Sequence, residues 1–472
     1  MSNFLQPPAP KPELPADQID SRYKALRWQV FTGVFIGYAA FYIVRKNFSM
    51  AIPMLEQFNI TKGELGTVLA MNAVAYALSK FLMGSVSDRS DARKFLPLGL
   101  VLAALSMMFM VVPITGLDLM NHPDRKPLAI ILMGVLNFLV GWFNGMGWPP
   151  CGRVMSHWFS QKERGTWMSF WNCAHNVGGG LVGPMATYGA VWFGSWFYGN
   201  NEHLYFLAGT YIFPAAVAIF IAILAYLLIR DNPRSCGLPP IEKYRNDYPK
   251  NYSAKSEEVL SFKEIFFKYV LNNKFLWFIA LANAFVYMVR YGCLDWAPAI
   301  LKDKGVDLKD AGWAYFAYEY AAIPGTIFCG WLSDKVFSGR RALPTIIFMA
   351  IVGGFIGLYW WALSAEVPNL GLIIGCMIAI GFLIYGPVML IGVQAIDLVP
   401  KNAAGTAAGL TGFFGYFFGT AILANTLVGF IAESPSMGGW DGVFISLIAA
   451  CVLSILFMGM TYKEEQHLAT KK

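Results

Sequence analysis

Gly84-Ser85-Val86-Ser87-Asp88-Arg89 closes one long apolar stretch, and Gly330-Trp331-Leu332-Ser333-Asp334-Lys335 closes another, 246 residues later. More basic residues follow each: Arg93 and Lys94 in the first case, Arg340 and Arg341 in the second. Upstream of both, Tyr42-Ile43-Val44-Arg45 and Tyr287-Met288-Val289-Arg290 stand 245 residues apart. A single G-x-x-x-D-[RK] loop carries little information. Two unrelated matches at nearly one offset indicate an internal repeat, with parallel halves related by an axis along a membrane normal.

The surrounding composition supplies the membrane. Of 472 residues, 56% are hydrophobic and 14% charged, and the mean hydropathy is +0.49. A soluble domain carries roughly 25% charge, and a soluble chain this apolar would leave too much apolar surface in water. A spanning helix needs about 20 mostly apolar residues. Twelve such stretches are expected, near 28–56, 64–87, 95–116, 127–150, 165–194, 204–229, 275–300, 311–333, 343–363, 368–398, 403–432 and 439–462. The fold class is therefore an all-α membrane protein of twelve transmembrane helices in two pseudo-symmetric six-helix bundles.

The expected organisation is a cytoplasmic tail over 1–27, a first bundle over 28–229, a polar linker over 230–274, a second bundle over 275–462 and a tail over 463–472. The first tail is proline-rich (Pro7, Pro8, Pro10, Pro12, Pro15) and lacks the apolar core of a cleavable signal. The linker holds Asp231, Arg234, Lys243, Arg245, Asp247, Lys250, Lys255 and Glu257. Of the 36 Lys and Arg residues, 26 fall in the termini, the linker and the other even-numbered loops, and only Lys62, Arg125, Lys126, Lys302, Lys304 and Lys309 in the odd ones. That bias places both termini in the cytoplasm of a multi-pass inner-membrane protein. It also explains the net charge of +7 without nucleic acid. The seven cysteines are scattered, with neither a disulfide framework nor metal-ligand spacing, so no metal or cofactor is expected. No nucleophile–base constellation appears in the spans, which argues against an enzyme.

Arg45, Lys46, Lys80, Arg290, Asp295 and Glu319 lie inside apolar spans. A cation at a helix centre costs roughly 2.5–3.5 kcal/mol to insert, so such residues face a cavity or a partner. The repeat puts Arg45 and Arg290 at matching points of the two halves. Two guanidinium groups there repel unless an anion lies between them, and their planar forks suit an oxyanion such as phosphate. Pairing of each with a carboxylate is the competing reading. Tyr38, Tyr42 and Arg45 fall at i, i+4 and i+7 on one helix face, and Tyr287 precedes Arg290 by three. These tyrosines either donate to phosphate oxygens or belong to an interfacial belt.

Lys46 and Asp295 each follow their arginine along the helix, so a bridge between spans one and seven is expected. Glu319, between Tyr318 and Tyr320, is a second acceptor near that seam. Static pairing within one half is the alternative for both. His175 shares a face with Asn172 and Asn176, at i, i+3 and i+4. Protonated, it adds a third positive contact to a dianion; otherwise it is structural. Lys80, near the cytoplasmic end of span two, either attracts phosphate or snorkels. Gly178-Gly179-Gly180 lies mid-span, where glycines let helices approach closely.

Val44-Arg45-Lys46-Asn47-Phe48, Gly147-Trp148-Pro149-Pro150-Cys151-Gly152, Trp171 to Gly180, and Phe382-Leu383-Ile384-Tyr385-Gly386-Pro387 together resemble the organophosphate:phosphate antiporters of the major facilitator superfamily. The linker phrase Ser235-Cys236-Gly237-Leu238-Pro239-Pro240-Ile241-Glu242 is similar to members that carry glycerol-3-phosphate. The likeness runs over about residues 20–465. It implies two six-helix bundles around a central cavity. It implies Arg45, Arg290 and His175 as phosphate ligands, with Lys80, Tyr38, Tyr42, Asn172, Tyr287, Tyr385 and Tyr416 lining the pore or site. Lys46, Asp295 and Glu319 match charged residues linked to the transport cycle. The implied partners are glycerol-3-phosphate, inorganic phosphate and the bilayer, for a monomer that also admits fosfomycin. A hexose-phosphate antiporter and a transporter-like sugar-phosphate sensor are the alternative readings.

Overall fold

In the computed structural model, residues 3–87, 89–201, 204–247, 267, 271–338, 340–365, 368–399 and 404–470 are described. Asp88 of the first repeat loop and Lys250, Lys255 and Glu257 of the linker lie outside them. The described residues form twelve helical passes and no strands. Eight of these are long and apolar enough to cross a membrane on length and composition.

Span one is Ala16–Ile43 continued by Asn47–Leu55. Spans two and three are Lys62–Ser87 and Ala92–Met108, the latter extended to Thr115. Span four joins Lys126–Asn144 to Trp148–Trp158, and span five joins Gln161–Asn172 to Ala174–Tyr198. Span six runs from Tyr205 to Leu228. Span seven is Lys274–Asp295 followed by Ala297–Asp303. Spans eight, nine and ten are Leu308–Lys335, Ala342–Leu363 and Leu370–Asp397. Span eleven runs from Ala404 to Glu433, with Phe414–Leu427 wound as a π-helix, and span twelve is Gly439–Thr470.

Several helices outrun the apolar stretches that reveal them, because hydrophobicity marks only what lipid or core covers. Span one starts at Ala16, inside the proline-rich tail, just after Pro15. Span four reaches Trp158 rather than 150. Span five starts at Gln161 rather than 165, on a capping box in which Ser160 and Glu163 satisfy each other's backbone N–H groups. The first part of the linker is also built. Pro233–Cys236 is one turn, and Ile241–Arg245 is a short helix whose Tyr244 ring stacks on Tyr23 with centroids 4.0 Å apart.

Within the first half, span one packs on five and six, two on four, and three on six. Within the second, seven packs on eleven and twelve, eight on ten, and nine on twelve. The halves meet where five lies on eight and where two lies on eleven. Under the repeat these two contacts exchange, so the seam is itself pseudo-symmetric. The triple glycine serves both packings of span five: a Cβ on Gly178 would strike the Ala39 backbone of span one within the first half, and one on Gly180 the Tyr320 ring of span eight across the seam.

Two spans are broken at the seam. Val44 (φ −100°, ψ 0°) and Lys46 (φ −111°, ψ 7°) leave the helix on either side of Arg45. Trp296 (φ −98°, ψ −6°) does the same in span seven, six residues past Arg290. All three sit in the sparsely populated bridge region of backbone space. Arg45 therefore extends from an unwound turn, whereas Arg290 extends from continuous helix.

Candidate functional site

Arg45 and Arg290 are both buried, with 4% of each exposed. Neither has a carboxylate within ion-pair distance among the described residues; tyrosine rings surround them instead. The Arg45 guanidinium carbon lies 3.6 Å from the centre of the Tyr76 ring and 5.2 Å from those of Tyr42 and Tyr416, and Nη1 donates to the Tyr42 hydroxyl at 3.3 Å. That of Arg290 lies 4.0 Å from the Tyr385 ring, 4.7 Å from Tyr291 and 5.8 Å from Tyr287. Tyr416 joins the two cages. Its ring meets Tyr76 edge-on at 4.8 Å and Tyr287 at 5.0 Å. Arg45, Tyr76, Tyr416, Tyr287 and Arg290 thus form one continuous path from the first half to the second.

Magnitudes decide what this cage can do. A desolvated cation–π contact is worth about 2 kcal/mol, while burying an unpaired ion costs several kcal/mol. The rings hold and orient the guanidinium groups without neutralising them. The Nε of each arginine is buried with no hydrogen-bond partner. Such an arrangement is matched by an anion carrying several acceptor oxygens.

Two polar ties between the halves flank the cage. Lys46 Nζ donates to both carboxylate oxygens of Asp295, at 2.7 and 3.0 Å. Both residues are buried, and the ammonium also lies 3.9 Å from the Tyr291 ring. Glu319 Oε2 accepts from Asn176 Nδ2 of span five at 2.8 Å and from the Tyr385 hydroxyl at 2.6 Å. Tyr385 therefore touches Arg290 with its face and Glu319 with its hydroxyl.

His175 sits between the halves, its ring 5.4 Å from that of Tyr42 and 5.9 Å from that of Tyr385. Its Nδ1–H donates to the Asn172 backbone carbonyl, which leaves Nε2 for a ligand. Asn172 and Asn176 do not share surroundings: the helix is interrupted at Cys173, and Asn172 is exposed while Asn176 is buried on Glu319. Tyr38 stacks on Trp171 at 4.6 Å and meets Tyr42 edge-on. Lys80 is exposed, 6.0 Å from the Tyr76 ring and 5.7 Å from that of Trp148, with no carboxylate partner among the described residues.

Tyr76 and Tyr291 are absent from the site as read by sequence, yet they make some of its closest contacts. Tyr76 lies one helical turn before Lys80 and Tyr291 next to Arg290, so proximity to an intramembrane charge was the available signal. Asn176 stands out in the sequence only by sharing a face with His175; its bond to Glu319, 143 residues away, has no local mark.

At the end far from both termini, Lys62 lies 3.2 Å from Glu56 of its own half and 3.1 Å from Asp303 of the other. Asp303 also accepts from Trp440 Nε1 at 2.8 Å, and Glu433 accepts from the Gly63 amide at 3.0 Å.

A profile of the Major Facilitator Superfamily matches residues 34–424. The chain belongs to the Major Facilitator Superfamily. It is 50% identical to the glycerol-3-phosphate transporter of Bacillus subtilis, over 99% of this chain and all of that one. It is 47% identical to the glycerol-3-phosphate transporter of Haemophilus influenzae, over 97% of this chain and 96% of that one. A bacterial homologue of the lysosomal transporter Spinster, solved inward-facing and unoccupied, superposes with a TM-score of 0.71 at 16% identity, covering 95% of this chain and 99% of that one. This major facilitator chain is a transporter and not an enzyme. Within that fold, the cage lies between the two halves.

Proposed function

We propose that this chain takes up glycerol-3-phosphate in exchange for cytoplasmic inorganic phosphate. The observation that carries this reading is the pair of buried guanidinium groups, one from each half, with no carboxylate within ion-pair distance of either among the described residues. The names of the two bacterial relatives support the choice of organic substrate. The two halves, 28–229 and 275–462, rock about the seam to expose the site to one side and then the other. An oxyanion bridging Arg45 and Arg290 draws the halves together, and it shifts their balance only through tighter binding in one arrangement. Without an anion, closure brings two like charges together, so the unloaded carrier crosses slowly and exchange becomes obligatory.

In this cycle His175 is a third phosphate contact. Tyr38, Tyr42, Asn172, Tyr287, Tyr385 and Tyr416 line the path, and Lys80 attracts the anion at its mouth. Lys46–Asp295 and Glu319 are the charged ties that re-form as the halves move. The protein acts as a monomer in the inner membrane, with both termini and the linker in the cytoplasm, and also admits fosfomycin. Phosphate-loaded proteoliposomes test the exchange: they should accumulate labelled glycerol-3-phosphate, and vesicles without internal phosphate should not. Equal uptake by both would defeat the exchange. Faster counterflow of a labelled hexose phosphate than of glycerol-3-phosphate would reassign the substrate.

A further inference from the structure

The ends of spans three and six carry cations that the transport reading does not use. Arg93 Nε donates to the Tyr226 carbonyl at 2.9 Å, and its guanidinium carbon lies 4.6 Å from the Tyr226 ring. Arg230 Nη1 donates to the carbonyls of Leu227 and Ile229, at 2.7 and 2.8 Å. The last carbonyls of span six lack intrahelical partners, and they carry the negative end of the helix dipole. They fix both guanidinium groups within one turn of each other. The remaining N–H groups of each fork have no acceptor among the described residues. Elsewhere on this face Arg27 and Arg245 pair with Glu163, Arg153 with Asp231, and Arg341 with Asp334. Arg93 and Arg230 have no carboxylate within ion-pair distance among the described residues. The nearby acids are engaged elsewhere: Asp91 caps span three, and Asp231 takes Arg153 and the Ala92 amide. Burial first, and then Arg93 close by, hold the Arg230 guanidinium below its usual range.

Apolar surface leads away from this pair. Phe220, Ile223 and Leu227 are exposed at i, i+3 and i+7 on span six, and Tyr226 is exposed beside them. A row at that spacing forms one stripe along the outside of the helix. Two uncompensated cations at the foot of an apolar stripe match a ligand with an anionic head and acyl chains.

We propose that the ends of spans three and six bind one anionic glycerophospholipid of the inner leaflet, its phosphodiester held between Arg93 and Arg230 and an acyl chain laid along Phe220, Ile223 and Leu227. The site lies on the outer surface of the first half, away from the Arg45–Arg290 cage.

Native mass spectrometry of the purified protein, titrated with phosphatidylglycerol or with phosphatidylcholine, tests this. Both lipids share acyl chains and phosphodiester, and only the first is a net anion. The wild type should retain phosphatidylglycerol preferentially. Loss of two juxtamembrane cations in Arg93→Gln/Arg230→Gln should weaken that retention about tenfold or more, at roughly 1 kcal/mol per cation, with phosphatidylcholine unchanged. Arg93→Lys/Arg230→Lys keeps the charge and should fall between the two; it also serves if the glutamine pair does not fold. Equal retention of both lipids by the wild type would overturn the proposal. So would undiminished phosphatidylglycerol on the glutamine variant, or displacement of the lipid by millimolar inorganic phosphate, which would mark a site for the free anion.

Discussion

Arg45 and Lys46 are neighbours on the same unwound turn and are about equally buried, yet the fold treats their charges in opposite ways. Lys46 has Asp295 across the seam and is neutralised in place. Arg45 has aromatic faces, which hold it and leave its charge intact. Arg290 repeats the Arg45 solution on the other side, against Tyr385. One turn of chain thus supplies both a tie between the halves and half of an anion site. A buried cation with its acid is architecture, and a buried cation without one can bind.

Breaking the tie should have the largest effect. Lys46→Met or Asp295→Asn leaves its partner buried and uncompensated, at a cost of about 3–5 kcal/mol. Thermal unfolding in detergent should show that loss, and the double variant should recover most of it. Equal losses in the single and double variants would mean that the two charges do not interact.

Next come the caged arginines. Arg45→Lys and Arg290→Lys keep the charge but lose the planar fork and its second hydrogen bond. A loss of about 2–3 kcal/mol of ligand interaction corresponds to a fall of roughly 30- to 150-fold in phosphate exchange. Unfolding temperature should change little, because no ion pair is broken. Near-normal exchange in proteoliposomes carrying either variant would remove the cage from the site.

The far end sharpens the contrast by exposure. Lys62 and Asp303 also bridge the halves, but their side chains are 18% and 32% exposed. Lys62→Gln should cost only about 0.5–1 kcal/mol, and a salt titration of unfolding should show the wild-type advantage shrinking as ionic strength rises. A loss comparable to that of Lys46→Met would show this rim to be as dry as the centre. Smallest of all is Lys243→Ala, which removes an exposed contact with Glu13 at 3.3 Å. Uptake should be unchanged and stability altered by less than about 0.5 kcal/mol.

Much of this is visible in the chain before folding. Intramembrane charges are rare enough to announce themselves, so Arg45, Lys46, Arg290, Asp295 and Glu319 stand out at once. The 245-residue offset shows which of them correspond. The tyrosines of the cage are less legible, since the sequence has 22 of them and most read equally well as interface or core. Tyr416 shows the difficulty: nothing local distinguishes it, yet its ring touches both arginine cages. The break at Arg45 and the turn at Cys173 are hidden for a related reason. Both lie inside stretches that read as single spans, 28–56 and 165–194, and hydrophobicity records burial rather than backbone conformation.

The sequence alone determined the twelve passes, their parallel repeat and the identity of the charged residues, because these depend on composition and on spacing along the chain. Only the tertiary structure decided which charges are neutralised. Pairing depends on distances between spans that lie 143 to 249 residues apart in the chain, and a shift of one helical turn would exchange an acid partner for an aromatic ring.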